Sequence, residues 1–200
     1  NQLNNAKATL MTRLSHKPGG GLFTPTFGLW SSASYWDWAS ELRDGNEYRA
    51  GLFMLTPLST TITARLSAGV LRRNAQSRVY ELRSRSAGLN LDWVLNPQFS
   101  LYAGFQYQDG DIVSTSTAPA PQLASAAEVI ETDDAYGDVG LNQIAYRLDA
   151  RTRVGALGFN YAFSRRYALD AQVQTVKSSA RLGNEYQRHI SLLSILARFN

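Results

Sequence analysis

Apolar and polar residues alternate with a period of two along most of the chain from about residue 46 onward. Between Phe99 and Tyr107 every second residue is apolar, and the residues between them are serine, tyrosine, glycine and glutamine. The stretch from Ala87 to Leu95 has the same alternation, and Asn96-Pro97 separates the two as a turn. A period of two places successive side chains on opposite faces of a strand. The pattern therefore predicts a β-hairpin whose two apolar faces coincide.

Strand-like alternation recurs in nine segments, and we therefore predict an all-β fold. The segments are 7–15, 25–38, 47–56, 60–71, 79–95, 98–109, 145–163, 167–177 and 187–199. The first segment is ambiguous, because Leu10 and Leu14 fit either one face of a strand or, with Leu3, one stripe of a helix.

Short and long connections alternate between these segments. Short turns are expected at 57–60, 96–97 and 164–166, and longer polar loops at 41–46, 72–78, 110–142 and 178–188. A single antiparallel up-and-down transmembrane β-barrel has two unlike rims of this kind. Its polar strand face, which is rich in small and amide residues, would line the interior, and its apolar face would contact lipid.

Composition excludes several other classes of protein. The chain has no cysteine and only two histidines, so disulfides, thiolate metal sites and cysteine nucleophiles are excluded. No run of apolar residues is long enough for a transmembrane helix, and no secretory leader opens the chain, so we expect a processed or truncated chain. The net charge of +4 comes from dispersed arginines, which does not favour nucleic-acid binding. We expect no cofactor, because no phosphate loop, dinucleotide fingerprint or zinc signature is present.

The alternating runs and the terminal strand His189–Phe199 resemble those of Gram-negative outer-membrane β-barrel proteins, over roughly residues 46 to 199. In that superfamily an aromatic residue usually ends the last strand and is read by the barrel-insertion machinery. Here Phe199 is followed by Asn200, which displaces the aromatic residue by one position. The resemblance implies a location in the bacterial outer membrane, with outer-membrane lipid, lipopolysaccharide and the insertion machinery as partners.

The same resemblance implies a non-enzymatic function, either as a narrow, porin-like channel or as a structural and interaction barrel. A protein partner at the lumen or at the external loops would suit the second role. The first alternative is that the chain is the C-terminal barrel part of a larger export or assembly system. The second alternative is a hydrolase that modifies lipid A.

Two domain organisations remain open. Bacterial barrels usually have an even number of strands, which favours eight strands over residues 25–200, with a long external loop at about 110–142. Residues 1–24 would then be an N-terminal amphipathic segment or plug. Alternatively, 7–15 is an extra strand, which gives nine or ten strands or a share of a larger barrel.

Charged residues fall on both faces of the predicted strands. Arg49, Arg65 and Arg198 are expected to point into the lumen, with Asp92 and Asp170 as ion-pair partners. In an eight-stranded barrel this network would be structural, because side chains fill so narrow an interior; in a wider barrel the arginines would favour anions. Four further arginines share the apolar face near the long loops and are expected to contact lipid phosphates. These are Arg83, Arg85, Arg151 and Arg153.

An aromatic cluster marks the second segment, with Trp30, Tyr35, Trp36 and Trp38 close together. We interpret the cluster as part of an aromatic belt at a bilayer interface. The alternative is a platform on which sugars stack.

Two weaker candidates for chemistry remain. Outer-membrane lipid A deacylases use a His-x-Ser pair with a carboxylate, and the pair His189 and Ser191 resembles it, with Glu185 nearby. A solvated rim histidine and a small serine is the favoured interpretation. The second candidate is a Ca²⁺ site in the long acidic loop, although the loop lacks the twelve-residue calcium-binding pattern. Its acidic residues include Asp109, Asp111, Asp133 and Asp134.

Overall fold

The computed structural model describes residues 5–38, 41–133, 143–164, 166–180 and 184–197, and these form an all-β protein. One antiparallel sheet contains ten strands. The strands are β1 (Asn5–His16), β2 (Thr26–Trp38), β3 (Gly45–Pro57), β4 (Ile62–Ala75), β5 (Leu82–Asn96), β6 (Phe99–Ser116), β7 (Val129–Asp133), β8 (Gln143–Ala162), β9 (Tyr167–Ala180) and β10 (Glu185–Ala197).

The strands follow an up-and-down order, and each pairs with its neighbour in the chain except around β7. The path runs β1-β2-β3-β4-β5-β6-β8-β9-β10, and the short β7 pairs with β8 beside this path. The predicted strand count of eight is therefore wrong. The sheet is also open, because no pairing joins β1 to β10 among the described residues.

The ambiguous N-terminal segment is a strand. All twelve residues of β1 pair with β2, from Asn5 opposite Trp38 to His16 opposite Phe27. Leu10 lies opposite Ala33 and Leu14 opposite Leu29, so the period of two matches the apolar face of β2. The extra-strand alternative therefore describes Asn5–His16, and a helix or plug does not describe these residues.

The predicted hairpin of β5 and β6 has the expected register. Leu89 lies opposite Phe105 and Gly88 opposite Gln106, so like faces coincide. The Asn96 side chain accepts hydrogen bonds from the backbone N–H groups of Gln98 and Phe99, each at 2.9 Å. This local bonding is typical of asparagine in turns and explains why the hairpin closes there.

The region expected as a loop at about 110–142 is partly regular. Gly110–Ser116 continues β6 and pairs with Ile144–Ala150 of β8. Gly110 has a φ of +139°, and a Cβ there would lie 2.2 Å from the Arg83 carbonyl oxygen. Only glycine allows this backbone conformation and this close approach, which lets β6 continue beyond β5.

A short helix, α1 (Pro121–Ala126), follows β6 and belongs to a small apolar core. Its Ala126 is buried with Tyr146 and Leu148 of β8, and Leu123 packs against them. A second cluster contains Val79, Tyr80 and Ala145. Among the described residues no helix has the length and apolar character that a membrane span needs.

The two ends of the sheet differ. The connections 58–61 and 97–98 lie at one end together with residues 17–25, 163–164 and 166, and we call this the short-turn end. The opposite end, which we call the long-loop end, carries residues 41–44, 76–81 and 117–133 and the start of β10. β7 and α1 belong to the long-loop end, so both apolar clusters lie there.

Candidate functional site: a polar concave face and a banded convex face

The sheet curves, and its two faces differ in chemistry. Trp30 of β2 and Gln174 of β9 line the same cavity, of about 560 Å³, although five strands of the path separate β2 from β9. We call the face that carries these residues the concave face and the opposite face the convex face. Side chains directly opposite each other in paired strands share a face, which assigns every strand residue to one of the two.

Amides, hydroxyls and glycines dominate the middle of the concave face. The cavity is lined on β4 and β5 by Ser67, Ser84 and Ser86, and on β5, β6 and β9 by side-chain amides. The amides are Asn90, Gln106, Gln108, Gln172 and Gln174. This arrangement agrees with the polar strand face that the alternation predicts.

Three aromatic side chains lie flat against the concave wall, each over a glycine of a neighbouring strand. A Cβ on Gly28 would lie 2.2 Å from the Phe53 ring, and one on Gly158 would lie 2.3 Å from the Tyr102 ring. A Cβ on Gly51 would lie 2.7 Å from Nε1 of Trp30. The glycines therefore make room for the rings beside the backbone, so that the rings do not fill the cavity.

The lumen ion pairs that the sequence predicted do not form: among the described residues, neither Arg49 nor Arg65 pairs with Asp92 or Asp170. Arg49 pairs with Glu47 at 2.9 Å, and Asp170 accepts a hydrogen bond from the Tyr102 hydroxyl at 3.2 Å. Arg65 and Asp92 lie on the concave faces of β4 and β5, but the described residues include no ion pair between them. Arg198 lies outside the described residues.

An interface belt requires its aromatic residues to lie on the apolar face, and the three tryptophans of β2 do not lie there. Trp30, Trp36 and Trp38 occupy even positions and lie on the concave face, whereas Tyr35 lies on the convex face. Trp36 and Trp38 stack with their ring centroids 5.6 Å apart. The sequence could have predicted this placement, because odd and even positions of a strand lie on opposite faces. Leu29 and Tyr35 occupy odd positions, and the three tryptophans occupy even ones.

A cationic and aromatic cluster surrounds the stacked tryptophans near the long-loop end, and the sequence alone did not reveal it. Lys7 lies over the Trp36 ring at 4.1 Å, and Arg43 lies over the Tyr80 ring at 4.9 Å. Such contacts hold cations against ring faces. The cluster requires the turn at Glu41–Arg43 to fold back over β2, a tertiary contact that no local pattern encodes.

The convex face has three bands. Aromatic residues lie at the short-turn end, where Phe163 stacks on Tyr167 with a centroid distance of 6.0 Å and Tyr161 contacts Phe99 and Phe163. Exposed aliphatic and aromatic side chains fill the middle, and both Leu52 and Leu157 are 58% exposed. Arginines and a lysine alternate with aspartates at the long-loop end.

The four arginines predicted to form a rim lie together in the third band. Arg85, Asp109 and Arg151 form one row across β5, β6 and β8, and Arg85 pairs with Asp109 at 2.6 Å. Arg83 lies in the next row toward the long-loop end, opposite Arg72, and its backbone N–H donates to Asp111 at 2.8 Å. Arg153 lies in the next row toward the short-turn end, between Tyr107 of β6 and Lys177 of β9.

An apolar groove of about 720 Å³ leads to this rim from the middle of the convex face. Small residues of neighbouring strands line it, with Ser31 directly opposite Ala50 and Ala68 in the adjacent row, opposite Leu52. Leu52 and Arg85 are among the residues that line it. The groove therefore joins an apolar channel to a cationic end.

The structure does not assemble the predicted His-x-Ser site. His189 and Ser191 share the convex face of β10, but the His189 ring bonds through Nδ1 to Thr175 and through Nε2 to Gln187, each at 3.0 Å. The Glu185 carboxylate pairs with Lys177 at 3.2 Å. No described contact joins the three residues as a catalytic triad requires.

The acidic residues of the long connection are also dispersed. Asp109 and Asp111 bond to arginine groups, and Asp133 lies in β7 opposite Gln143. Asp134 lies outside the described residues. Within the described ranges no three histidine or acidic residues come together as metal ligands.

The α1 segment covers part of the concave face at the long-loop end. α1 packs on Leu148 and Ile112, which belong to the concave faces of β8 and β6. The Ala120 N–H donates to the Tyr146 hydroxyl at 3.1 Å and fixes the start of the helix.

Comparison with known proteins found no matching family model, no matching curated protein and no matching solved structure.

Proposed function

We propose that this chain forms the wall of a transmembrane β-barrel in a bacterial outer membrane, with the concave face around a polar lumen and the convex face in lipid. The observation that carries the proposal is the banding of the convex face. A water-soluble protein rarely exposes so large a continuous apolar surface. Aromatic and cationic bands on either side of an aliphatic band are typical of the two interfaces of a bilayer.

The height of the aliphatic band supports this proposal. Along β8, Tyr161 in the aromatic band lies ten residue steps beyond Arg151 in the cationic band. At about 3.4 Å per residue and a strand tilt of about 40°, these steps span about 25 Å. That is the height of the apolar band on outer-membrane barrels.

The role that we propose is non-enzymatic, as a channel or as a structural and interaction barrel. The polar concave cavity supports the channel. The helix α1 would narrow the mouth of such a lumen, since it packs against concave residues at the long-loop end. The long-loop end would face outward, and its ordered β6–β8 extension would offer a surface for a protein partner.

The cationic band supports lipopolysaccharide and other anionic lipids as partners. Arg83, Arg85, Arg151 and Arg153 lie within three successive rows of the convex face, on β5 and β8 with β6 between them, so their guanidinium groups can share one lipid's phosphates. The apolar groove that ends at Arg85 would hold an acyl chain of the same lipid.

Fluorescence quenching by brominated lipids tests the membrane placement. Of the four tryptophans, Trp93 lies on the convex face, opposite Ile62 and Leu101, whereas the other three are concave. In vesicles of dibrominated phospholipid we expect strong quenching of the native chain, loss of that quenching in Trp93→Phe, and no such loss in the matched control Trp36→Phe, since Trp36 lies on the concave face and away from the apolar groove. Equal quenching in both variants would mean that the convex face does not contact lipid.

The open edges favour a second candidate, that the sheet is part of a larger barrel within an export or assembly system. Each step along the path is antiparallel, so β1 and β10 both run from the long-loop end to the short-turn end. Direct closure would pair them in parallel within an otherwise antiparallel sheet. An inserted odd number of strands would pair antiparallel with both edges and satisfy their backbone groups in hydrocarbon.

Cysteine cross-linking distinguishes direct closure from insertion, and the chain offers a cysteine-free background. We expect Leu10→Cys with Leu193→Cys to form no disulfide within one chain, because further strands separate β1 from β10. The control pair Leu14→Cys with Leu29→Cys, on directly opposed residues of β1 and β2, should cross-link. A high yield across the β1 and β10 edges, at this or a shifted register, would show direct closure.

A further inference from the structure

We propose that the concave cavity binds an uncharged, polyhydroxylated ligand, a short neutral oligosaccharide. This inference deepens the proposed function, because it assigns a ligand class to the polar lumen. It rests on three features of the cavity that point to the same chemistry: unpartnered amides, an aromatic face and an almost neutral lining.

The amides provide the hydrogen-bonding capacity. Each side-chain amide offers one carbonyl acceptor and two N–H donors. None of the five amides on this wall makes a side-chain hydrogen bond within the described ranges, whereas nearby concave groups such as Thr152 and Ser178 bond to each other. Donors and acceptors side by side match adjacent sugar hydroxyls, each of which both donates and accepts.

The spacing of the amides keeps them accessible. Asn90, Gly104, Ala156 and Gln174 form one row across four strands, so two amides flank two small residues. In the next row, Gln106 lies between Gly88 and Val154. The small residues leave a recess between the amides, where a ligand ring can approach the wall without a clash.

Trp30 provides a flat apolar surface at the other side of the cavity. Its indole lies along the wall over Gly51 and Gly69, where added Cβ atoms would approach to 2.7 Å and 3.4 Å. One ring face is therefore covered by backbone, and Trp30 still lines the cavity. An aromatic face with a few directed polar groups is the common composition of small-molecule sites, and the C–H face of a sugar ring fits the indole.

The charge of the lining favours a neutral ligand. Among the described residues that line the cavity, Arg49 is the one charged side chain, and Glu47 neutralises it at 2.9 Å. A charged solute would lose water in this cavity without gaining an unpaired counter-charge. A neutral polyol exchanges its hydrogen bonds with water for hydrogen bonds with amides and serines.

Binding of maltotriose to the full chain tests the proposal, in micelles of an amine-oxide detergent that has no sugar headgroup. Saturation-transfer NMR should detect binding with a Kd on the order of millimolar, as is common for weak polar ligands. We expect Gln106→Met and Gln174→Met each to weaken binding about threefold or more, and Trp30→Leu about tenfold. Sodium sulfate should not compete.

Matched substitutions on the convex face provide the controls. Gln187→Met and Trp93→Leu change the same residue types outside the cavity and should leave maltotriose binding unchanged. Circular dichroism and the unfolding midpoint establish that each variant is folded. Trp30→Phe retains an aromatic face and should restore most of the affinity that Trp30→Leu loses.

Three results would overturn the proposal: no binding by the folded native chain, equal binding by all cavity variants, or displacement of maltotriose by sulfate that depends on Arg49. The assay needs no bilayer, so its outcome is separate from the membrane placement. Binding without quenching of Trp93 by brominated lipid would overturn the proposed function and keep this site. Quenching without maltotriose binding would keep the proposed function and overturn this site.

Discussion

The long-loop end and the middle of the sheet follow opposite rules of burial. At the long-loop end Tyr146, Leu148 and Val79 are at most 3% exposed and form small apolar cores. In the middle, Leu157 and Val173 lie on the outer surface at 58% and 55% exposure, while amides occupy the inside. The long-loop end with α1 and its two apolar clusters, which we call the cap, has an apolar interior as a water-soluble protein does. The middle of the sheet is inverted, as the proposed membrane location requires.

This contrast shows that one strand can serve two environments. β8 contributes Leu148 to the buried cluster of the cap and Leu157 to the exposed band, with Arg151 and Arg153 between them. The two leucines are the same residue type but lie on opposite faces: α1 covers Leu148 on the concave face, and no described element covers Leu157 on the convex face. Substitutions in the two regions should therefore have different consequences.

The largest effect is expected in the cap. Tyr146→Ala removes a buried ring and the acceptor for the Ala120 N–H, and we expect a loss of about 3–5 kcal/mol in the local stability of the cap. Hydrogen exchange should increase in α1 and at the start of β8, while the middle of β5 and β6 keeps its protection. Tyr146→Phe, which retains the ring, should cost about 1 kcal/mol. Uniform loss of protection along all strands would show that cap and sheet are one unit.

The next effect concerns the exposed band. Leu157 lies near the midpoint between Arg151 and Tyr161, so Leu157→Arg should reduce the free energy of unfolding from vesicles by about 2–4 kcal/mol. The matched control Gln106→Arg adds the same charge to the concave face, where water solvates it, and should cost less than about 1 kcal/mol. Denaturant titration in lipid vesicles measures both. Equal costs for the two variants would contradict the assignment of the faces.

The smallest effect on stability is expected at the cationic rim. Arg85 is exposed and its ion pair with Asp109 is open to solvent, so Arg85→Gln should leave the unfolding midpoint nearly unchanged. Affinity for lipopolysaccharide should fall about fivefold, because one basic residue near an anionic membrane surface contributes about 1 kcal/mol of binding free energy. Arg166→Gln, at the short-turn end, is the control and should not change that affinity. A similar loss in both variants would indicate non-specific attraction.

Much of the sheet was predictable because its signal is local. The alternation from Ala87 to Tyr107 predicts both strands, their turn and their common apolar face, since strand geometry alone converts a period of two into two faces. The same rule places Arg83 and Arg85 on the convex face. The predicted boundaries fail where β6 continues past Gly110, because only the pairing with β8 shows that Ile112 and Val113 belong to a strand.

The remaining parts depend on contacts between distant residues. Strand number could not be predicted, because β1 shows both a strand face and a helical stripe until β2 pairs with it. Pro121 at the start of α1 is a local signal for a helix, yet the alanine- and proline-rich segment has no periodicity that predicts its docking on Leu148. The amides of the cavity were expected on the polar face, but their position opposite Trp30 follows from curvature.

A cysteine scan of β8 tests the central claim most directly, that hydrocarbon surrounds the convex face and water fills the concave side. Single cysteines at positions 152 to 161, spin-labelled in vesicles, report collisions with dissolved oxygen and with a water-soluble nickel complex. The account predicts alternation with a period of two: odd positions such as Leu157 favour oxygen, and even positions such as Ala156 favour nickel. Uniform accessibility along the strand, or alternation in the opposite phase, would contradict it.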